Sequence, residues 1–193
     1  ILTGDDQYLR EAEAAAQRLV GLGFNLMYQV NATIFAGGGL LRLWKETGDD
    51  LYRRLSYVCL ANIFNNTWLW ECDYGYAKHY STFFAIAPLT DADYAAIYEE
   101  IEVLAALRDY LTTLDDDIPE SLSILIPEFT RVSIHRVWSY YPPLLADEVM
   151  ASGQRTGRLD KRLWIPLEDL REGREPSGQV GQEIYGAGLP FGV

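Results

Sequence analysis

The feature that most constrains this chain is a short phrase used twice. Thr3-Gly4-Asp5-Asp6 followed by Tyr8 returns as Thr47-Gly48-Asp49-Asp50 followed by Tyr52, at an offset of 44 residues. In both copies the aspartates stand immediately before a run with helical periodicity. There a carboxylate accepts hydrogen bonds from the open N–H groups of the first turn, and its charge complements the positive end of the helix dipole. Thr90-Asp91-Ala92-Asp93-Tyr94 is a weaker third copy. A helix start repeated at an interval in the forties leaves room for a helix pair between copies. That predicts stacked helical hairpins, either as a solenoid or closed into a ring.

The apolar spacing agrees with this. The first predicted helix covers Gln7 to Leu22, with Tyr8, Leu9, Ala12, Ala15, Ala16, Leu19 and Val20 at helical intervals, and Gly21 and Gly23 stop it. A second, capped by Asn25, runs to about Thr47 with Leu26, Val30, Ile34, Leu40, Leu41 and Trp44 inward. It contains Gly37-Gly38-Gly39, and each helix-interior glycine costs about 1 kcal/mol relative to alanine. Three in a row require a reason, such as close packing of another backbone, a kink or room for a ligand.

A third predicted helix spans Asp49 to about Trp70, and a fourth Asp91 or Asp93 to about Thr113. The fourth has Tyr94, Ile97, Ile101, Leu104, Leu107 and Leu111 as its apolar stripe, and Glu99, Glu100, Glu102, Arg108 and Asp109 as a solvated outer face. A fifth covers about Ser121 to Tyr141, where Pro127 should kink or split it and Pro142-Pro143 end it. No segment shows the strict alternation of a strand, so the expected class is all-α. Residues 1–145 read as the helical-hairpin part, and residues 146–193, rich in glycine, arginine and proline, as an irregular, loop-rich extension of the same domain.

Composition removes several classes of function. With 16 basic and 28 acidic side chains the net charge is -12, which opposes a nucleic-acid backbone or an anionic membrane surface as partner. No apolar run is long enough to span a bilayer, and no signal-peptide pattern stands at the start. The chain begins at Ile1, which reads as a mature form or a piece of a longer polypeptide. Cys59 and Cys72 are expected to be buried, reduced thiols. With only two cysteines and two histidines, and no short Cys-x-x-Cys pair, no metal site or other cofactor is expected. The sequons at Asn31 and Asn65 fall in predicted helices and are poor glycosylation sites. Asp115-Asp116-Asp117 lacks the spaced ligands of a calcium loop.

The Thr-Gly-Asp-x-x-Tyr helix starts, in hairpins of this length, resemble the (α/α) toroids of carbohydrate-active enzymes, the six-hairpin glycosidases and related polysaccharide lyases. The resemblance is at superfamily level and covers residues 3 to 145. It implies a partial toroid, since a full ring needs about twelve helices and five or six are present here. It also implies an oligosaccharide or polysaccharide substrate, with the remainder of a longer chain as a possible partner, and a location outside the cytoplasm, extracellular or periplasmic.

Three segments hold the residue types that such chemistry uses. Trp68 to Phe84 carries Trp68, Trp70, Tyr74, Tyr76, Tyr80, Phe83 and Phe84 around Glu71, Asp73, Lys78 and His79. Flat aromatic faces pack against the C–H bonds of sugar rings, and neighbouring acids can transfer protons. Glu128, Arg131, His135 and Trp138 fall on one helical face, with Arg136 and Tyr140 on the next, a set able to hold an anionic sugar. Gln182, Glu183 and Tyr185 stand among Gly178, Gly181, Gly186 and Gly188, where glycines allow close backbone approach. Each segment also has a purely structural explanation, as core anchors, a salt-bridged helix face and an ordered loop.

The leading expectation is a glycoside hydrolase, or a fragment of one, with Glu71, Asp73 and Glu183 as paired carboxylates and His135 as a further proton-transfer group. Trp68, Trp70, Tyr74, His79, Arg131, Arg136, Trp138, Tyr140, Gln182 and Tyr185 would then bind substrate. The alternatives are a polysaccharide lyase acting on a uronate-containing glycan through His135, Tyr140, Arg131 and Arg136, and a non-catalytic helical-repeat binding module.

Overall fold

The computed structural model describes residues 4–70, 83–86, 89–90, 96–114 and 119–140, with the backbone alone at 68–70, 83–86, 97–98 and 132–140. Within these residues the chain is predominantly helical. The elements are α1 (Asp6–Gln17), a 3-10 turn (Gly23–Leu26), α2 (Val30–Thr47), α3 (Asp50–Asn65), β1 (Thr67–Trp70), β2 (Phe83–Ile86), α4 (Ile97–Leu114) and α5 (Glu120–Tyr140). No described helix is long and apolar enough to cross a membrane. Residues 146–193, expected to be an irregular, loop-rich extension, lie outside the described residues.

Both copies of the repeated phrase fold alike at their helix starts. Asp5 accepts a hydrogen bond from the Gln7 N–H at 2.8 Å, and Asp49 accepts one from the Leu51 N–H at 2.9 Å. The preceding glycines, Gly4 and Gly48, both take positive φ, 68° and 73°. Gly48 thereby ends α2 and turns the chain into the cap of α3. The copies diverge one turn later: Tyr52 is buried, whereas Tyr8 is exposed. The weaker copy at Thr90–Tyr94 lies mostly outside the described residues.

Two expectations about the elements are corrected and a third is narrowed. The second helix begins at Val30, not after Asn25, because residues 23–26 form a separate 3-10 turn. The third helix stops at Asn65 rather than reaching Trp70. Thr67–Trp70 instead pairs antiparallel with Phe83–Ile86, Thr67 opposite Ile86 and Trp70 opposite Phe83, so the described residues include a short two-stranded sheet. Bulky aromatic and β-branched residues suit that conformation better than a helix. At Pro127, where a kink or a split was expected, the fifth helix is not split. One helix runs through it, anchored on the core by Leu122 and Ile126 before the proline and Phe129 after it.

The core is centred on α2. One apolar cluster joins Val30, Ile34 and Leu41 of α2 to Leu60 and Ile63 of α3, Val103, Leu107, Tyr110 and Leu114 of α4, and Leu122, Ile126 and Phe129 of α5. Phe64 and Phe129 meet edge to face with centroids 6.4 Å apart. A second cluster packs Ala16 of α1 against Leu40, Leu43, Tyr52, Leu55 and Cys59.

The glycine triplet separates into two cases. A Cβ on Gly37 would stand 3.1 Å from the Cys59 Cβ, so this residue permits the close approach of α2 and α3. At the same level Ser56 Oγ donates to the Gly37 carbonyl at 2.9 Å and lies 2.6 Å from the Tyr110 hydroxyl. With its one proton directed to Gly37, Ser56 accepts from Tyr110. The bond chain joins α2, α3 and α4 inside the core. A Cβ on Gly39 would meet nothing within 4 Å, and one on Gly38 only the flexible end of Arg42.

Two substitutions two residues apart should therefore act in opposite directions. Gly37→Leu forces the helices apart and should cost about 1–3 kcal/mol. Gly39→Ala adds helix propensity at an open site and should gain up to about 1 kcal/mol. Urea unfolding followed by circular dichroism measures both, and equal signs would contradict this packing.

Candidate functional site

The richest described set of polar side chains lies where the first turns of α2 and α4 meet. Gln29, the N-cap residue of α2, does not cap the helix with its side chain. Its Nε2 donates to Glu99 Oε1 at 3.0 Å. Two residues on, Asn31 Nδ2 donates to Glu102 Oε2 at 2.6 Å, while Asn31 Oδ1 accepts from the Ala32 N–H. Glu99 and Glu102 are three residues apart on one helix face, which sets their Cβ atoms about 5–6 Å apart. Each of the two carboxylates is thus oriented by a side-chain amide from the neighbouring helix. Glu99 is 5% exposed and Glu100 4% exposed, whereas Glu102 is half-buried.

This corrects the expected solvated face of α4. Arg108 and Asp109 are exposed as expected, but Glu99 and Glu100 are buried. The cause is the register of the apolar stripe. The fully buried residues of α4 are Val103, Leu107, Tyr110 and Leu114, continuing from Ala96. Ile101, Leu104 and Leu111 lie beside that line and are half-buried. Following the same line one turn back from Val103 leads to Glu99 and Glu100.

Two exposed aromatic side chains precede α2 in the chain. Tyr28, adjacent to Gln29, is 75% exposed, and Phe24 in the 3-10 turn is 62% exposed. Leu89 forms an isolated antiparallel bridge with Gln29, and its carbonyl accepts from Asn66 Nδ2 at 3.0 Å. Asn66 immediately precedes β1. The base of the β1–β2 hairpin is therefore tied to the same end of the bundle as Glu99.

The positions expected from sequence are distributed unevenly. Trp68 and Trp70 are on β1, where the backbone is described. Glu71, Asp73, Tyr74 and His79 lie outside the described residues, as do Gln182, Glu183 and Tyr185. His135, Arg136, Trp138 and Tyr140 are on α5 at the level of its backbone. Arg131 pairs with Glu128 one turn before it, through both Nε at 3.0 Å and Nη2. That guanidinium holds the exposed Glu128 carboxyl below its usual range. Among the described residues no group of three or more His, Cys, Asp or Glu side chains is arranged to hold a metal ion.

Sequence reasoning missed Tyr28, Gln29, Asn31, Glu99 and Glu102. A signal existed for two of them: Asn31 and Gln29 are polar residues inside or against an otherwise apolar helix start. Compared with protein-family models, with curated proteins and with solved structures, the chain has no match.

Cys59, fully buried in the core, is a free thiol. Burial pushes its pKa up to about 12 from the model-compound value of 9.0, and burial also raises that of the Tyr110 hydroxyl. Both groups are neutral in the folded protein and ionise more readily once unfolded. Their contribution to stability is complete below about pH 9 and is lost as the pH climbs from there toward 12. Cys59 should therefore resist iodoacetamide in the folded protein at mildly alkaline pH and react after denaturation, as read by peptide mass spectrometry. The thermal midpoint should fall progressively above pH 9. Rapid native labelling of Cys59 would contradict its burial.

Proposed function

We propose that the chain is a carbohydrate-active protein and that its chemistry is glycoside hydrolysis by paired carboxylates. The observation that carries the proposal is the amide-held pair Glu99 and Glu102, with the exposed Tyr28 next to Gln29 in the chain. Glycosidases place two carboxyl groups about 5–10 Å apart across the scissile bond. The helix spacing of Glu99 and Glu102 is compatible with the lower end of that range. Tyr28 and Phe24 supply the kind of flat apolar face on which a sugar ring stacks.

The two acids have different surroundings, which suits different roles. Glu99, deep in the seam, is the candidate for protonating the leaving oxygen. Glu102, with access to solvent, is the candidate for activating water or attacking the anomeric carbon. Gln29 and Asn31 would hold both carboxylates in position. The aromatic segment opening at β1 is joined to this end of the bundle through Asn66 and Leu89, which makes Trp68 and Trp70 candidates for extending the binding face. The (α/α) toroid is part of the same proposal, supported by the matching caps of α1 and α3.

The test incubates the protein with neutral and uronate-containing oligosaccharides and follows new reducing ends together with ultraviolet absorbance from unsaturated products. Hydrolysis predicts reducing ends without absorbance. Glu99→Gln and Glu102→Gln should each lower kcat about 100-fold or more, with unchanged circular dichroism. Tyr28→Ala should act mainly on KM. Absorbance from unsaturated uronides would replace this reading with a lyase. Saturable binding without turnover would replace it with a binding module. Hydrolysis indifferent to both glutamine variants would remove Glu99 and Glu102 from the mechanism.

A further inference from the structure

The chain carries two Asn-x-Thr sequons, Asn31-Ala32-Thr33 and Asn65-Asn66-Thr67, and the structure separates them. Both match the acceptor pattern for an N-linked glycan, in which the asparagine side-chain amide takes the sugar. A bulky, solvated glycan further needs an exposed asparagine, an amide nitrogen not committed inside the fold, and backbone that leaves its helix at little cost. Both sequons were expected to be poor acceptors because both fall in predicted helices. That reason applies to Asn31 and not to Asn65.

Asn31 fails on every count. It is half-buried in the first turn of α2, between the core residues Val30 and Ile34. Its Nδ2 donates to Glu102 Oε2 at 2.6 Å. Thr33 is buried, and its hydroxyl donates to the Gln29 carbonyl at 2.7 Å.

Asn65 differs at each point. It is the last residue of α3, since the helix stops well short of Trp70. It is exposed, and its side chain makes no hydrogen bond among the described residues. The neighbouring Asn66 takes the structural role instead, donating to the Leu89 carbonyl at 3.0 Å. Asn66 is a turn residue and Thr67 opens β1, so the sequon spans a helix end. The last turn of a helix frays at small cost, whereas a first turn buried against a neighbouring helix does not. Thr67 is half-buried, and its Oγ1 lies 3.4 Å from the Ile63 carbonyl, a longer and weaker contact than that of Thr33.

We propose that Asn65 is an N-glycosylation site of the folded chain and that Asn31 is not. The donor is an oligosaccharide linked to a lipid diphosphate. In the transfer, Asn65 Nδ2 bonds to the anomeric carbon of the first sugar. The anomeric C–O bond breaks, its electron pair leaves with the diphosphate, and the amide gives up one proton. The inference is independent of the chemistry proposed at Glu99 and Glu102.

The test incubates the folded full chain with an oligosaccharyltransferase and a lipid-linked oligosaccharide. Transfer is read as a mass shift and located by peptide mass spectrometry. The expected result is one glycan, at Asn65, and none at Asn31. Asn65→Gln and Thr67→Ala should each abolish the shift, and Thr67→Ser should keep it. Asn65→Gln changes an exposed side chain, so its circular dichroism spectrum should match that of the parent. A folded chain left unmodified at Asn65 overturns the proposal. So does a folded chain that takes the glycan at Asn31, or one whose mass shift survives Asn65→Gln.

Discussion

The structure depends on the close approach of α2 and α3 at Gly37. Without a side chain there, the Cys59 Cβ can sit against the α2 backbone, and Ser56 can reach the Gly37 carbonyl. Tyr110 of α4 then bonds to Ser56 in the same plane. Three helices are thereby held at one level by contacts that tolerate little change, because a buried hydroxyl left without its partner costs about 1–3 kcal/mol. The apolar cluster above and below this level fills in around it. Trp44, flanked by Lys45 and Arg53 each 5.2 Å from its ring, closes the far end of α2.

Fixing α4 against α2 at Tyr110 has a consequence at the other end of the seam. The face of α4 that carries Tyr110, Leu107 and Val103 inward also carries Glu99 inward one turn earlier. The acids cannot turn to water without rotating the whole stripe out of the core. They are accommodated instead by polar residues at the start of α2, and Gln29 and Asn31 each supply an amide donor. Buried carboxylates oriented in this way are costly for a fold that only needs stability. Their position against the start of α2, which the exposed Tyr28 precedes, is the reason to read this end of the bundle functionally.

What could be read from the sequence was what is decided locally. The caps at Asp5 and Asp49 were legible because an aspartate, a glycine and the following N–H groups settle the geometry among themselves. The end of α2 at Thr47–Gly48 was legible for the same reason. The face of α4 was not, because two stripes one residue apart both satisfy helical periodicity. Only packing against α2 chooses Val103 and Tyr110 over Ile101 and Leu104. The β1 strand was hidden because Trp68-Leu69-Trp70 continues the apolar run of α3, and its partner is sixteen residues away at Phe83–Ile86. The triplet Gly37-Gly38-Gly39 was recognised as demanding a reason, but sequence alone could not assign that reason to Gly37. Of the expected site residues, the Glu128 and Arg131 pair was legible as a helical face, and the structure has them satisfying each other. The pair Glu99 and Glu102 was not legible as a site, because it depends on the register of α4.

The central claim is that a sugar binds at the seam of α2 and α4 beside Tyr28. The side-chain amides of Gln29 and Asn31 report on it directly, since each donates to one of the two glutamates. Their signals can be followed by nuclear magnetic resonance in a nitrogen-labelled sample titrated with a neutral oligosaccharide. The account predicts saturable shifts of these two amide pairs, accompanied by the backbone signal of Tyr28. Amide signals that stay fixed at saturating oligosaccharide, or shifts confined to α1 and the far end of α2, would contradict it.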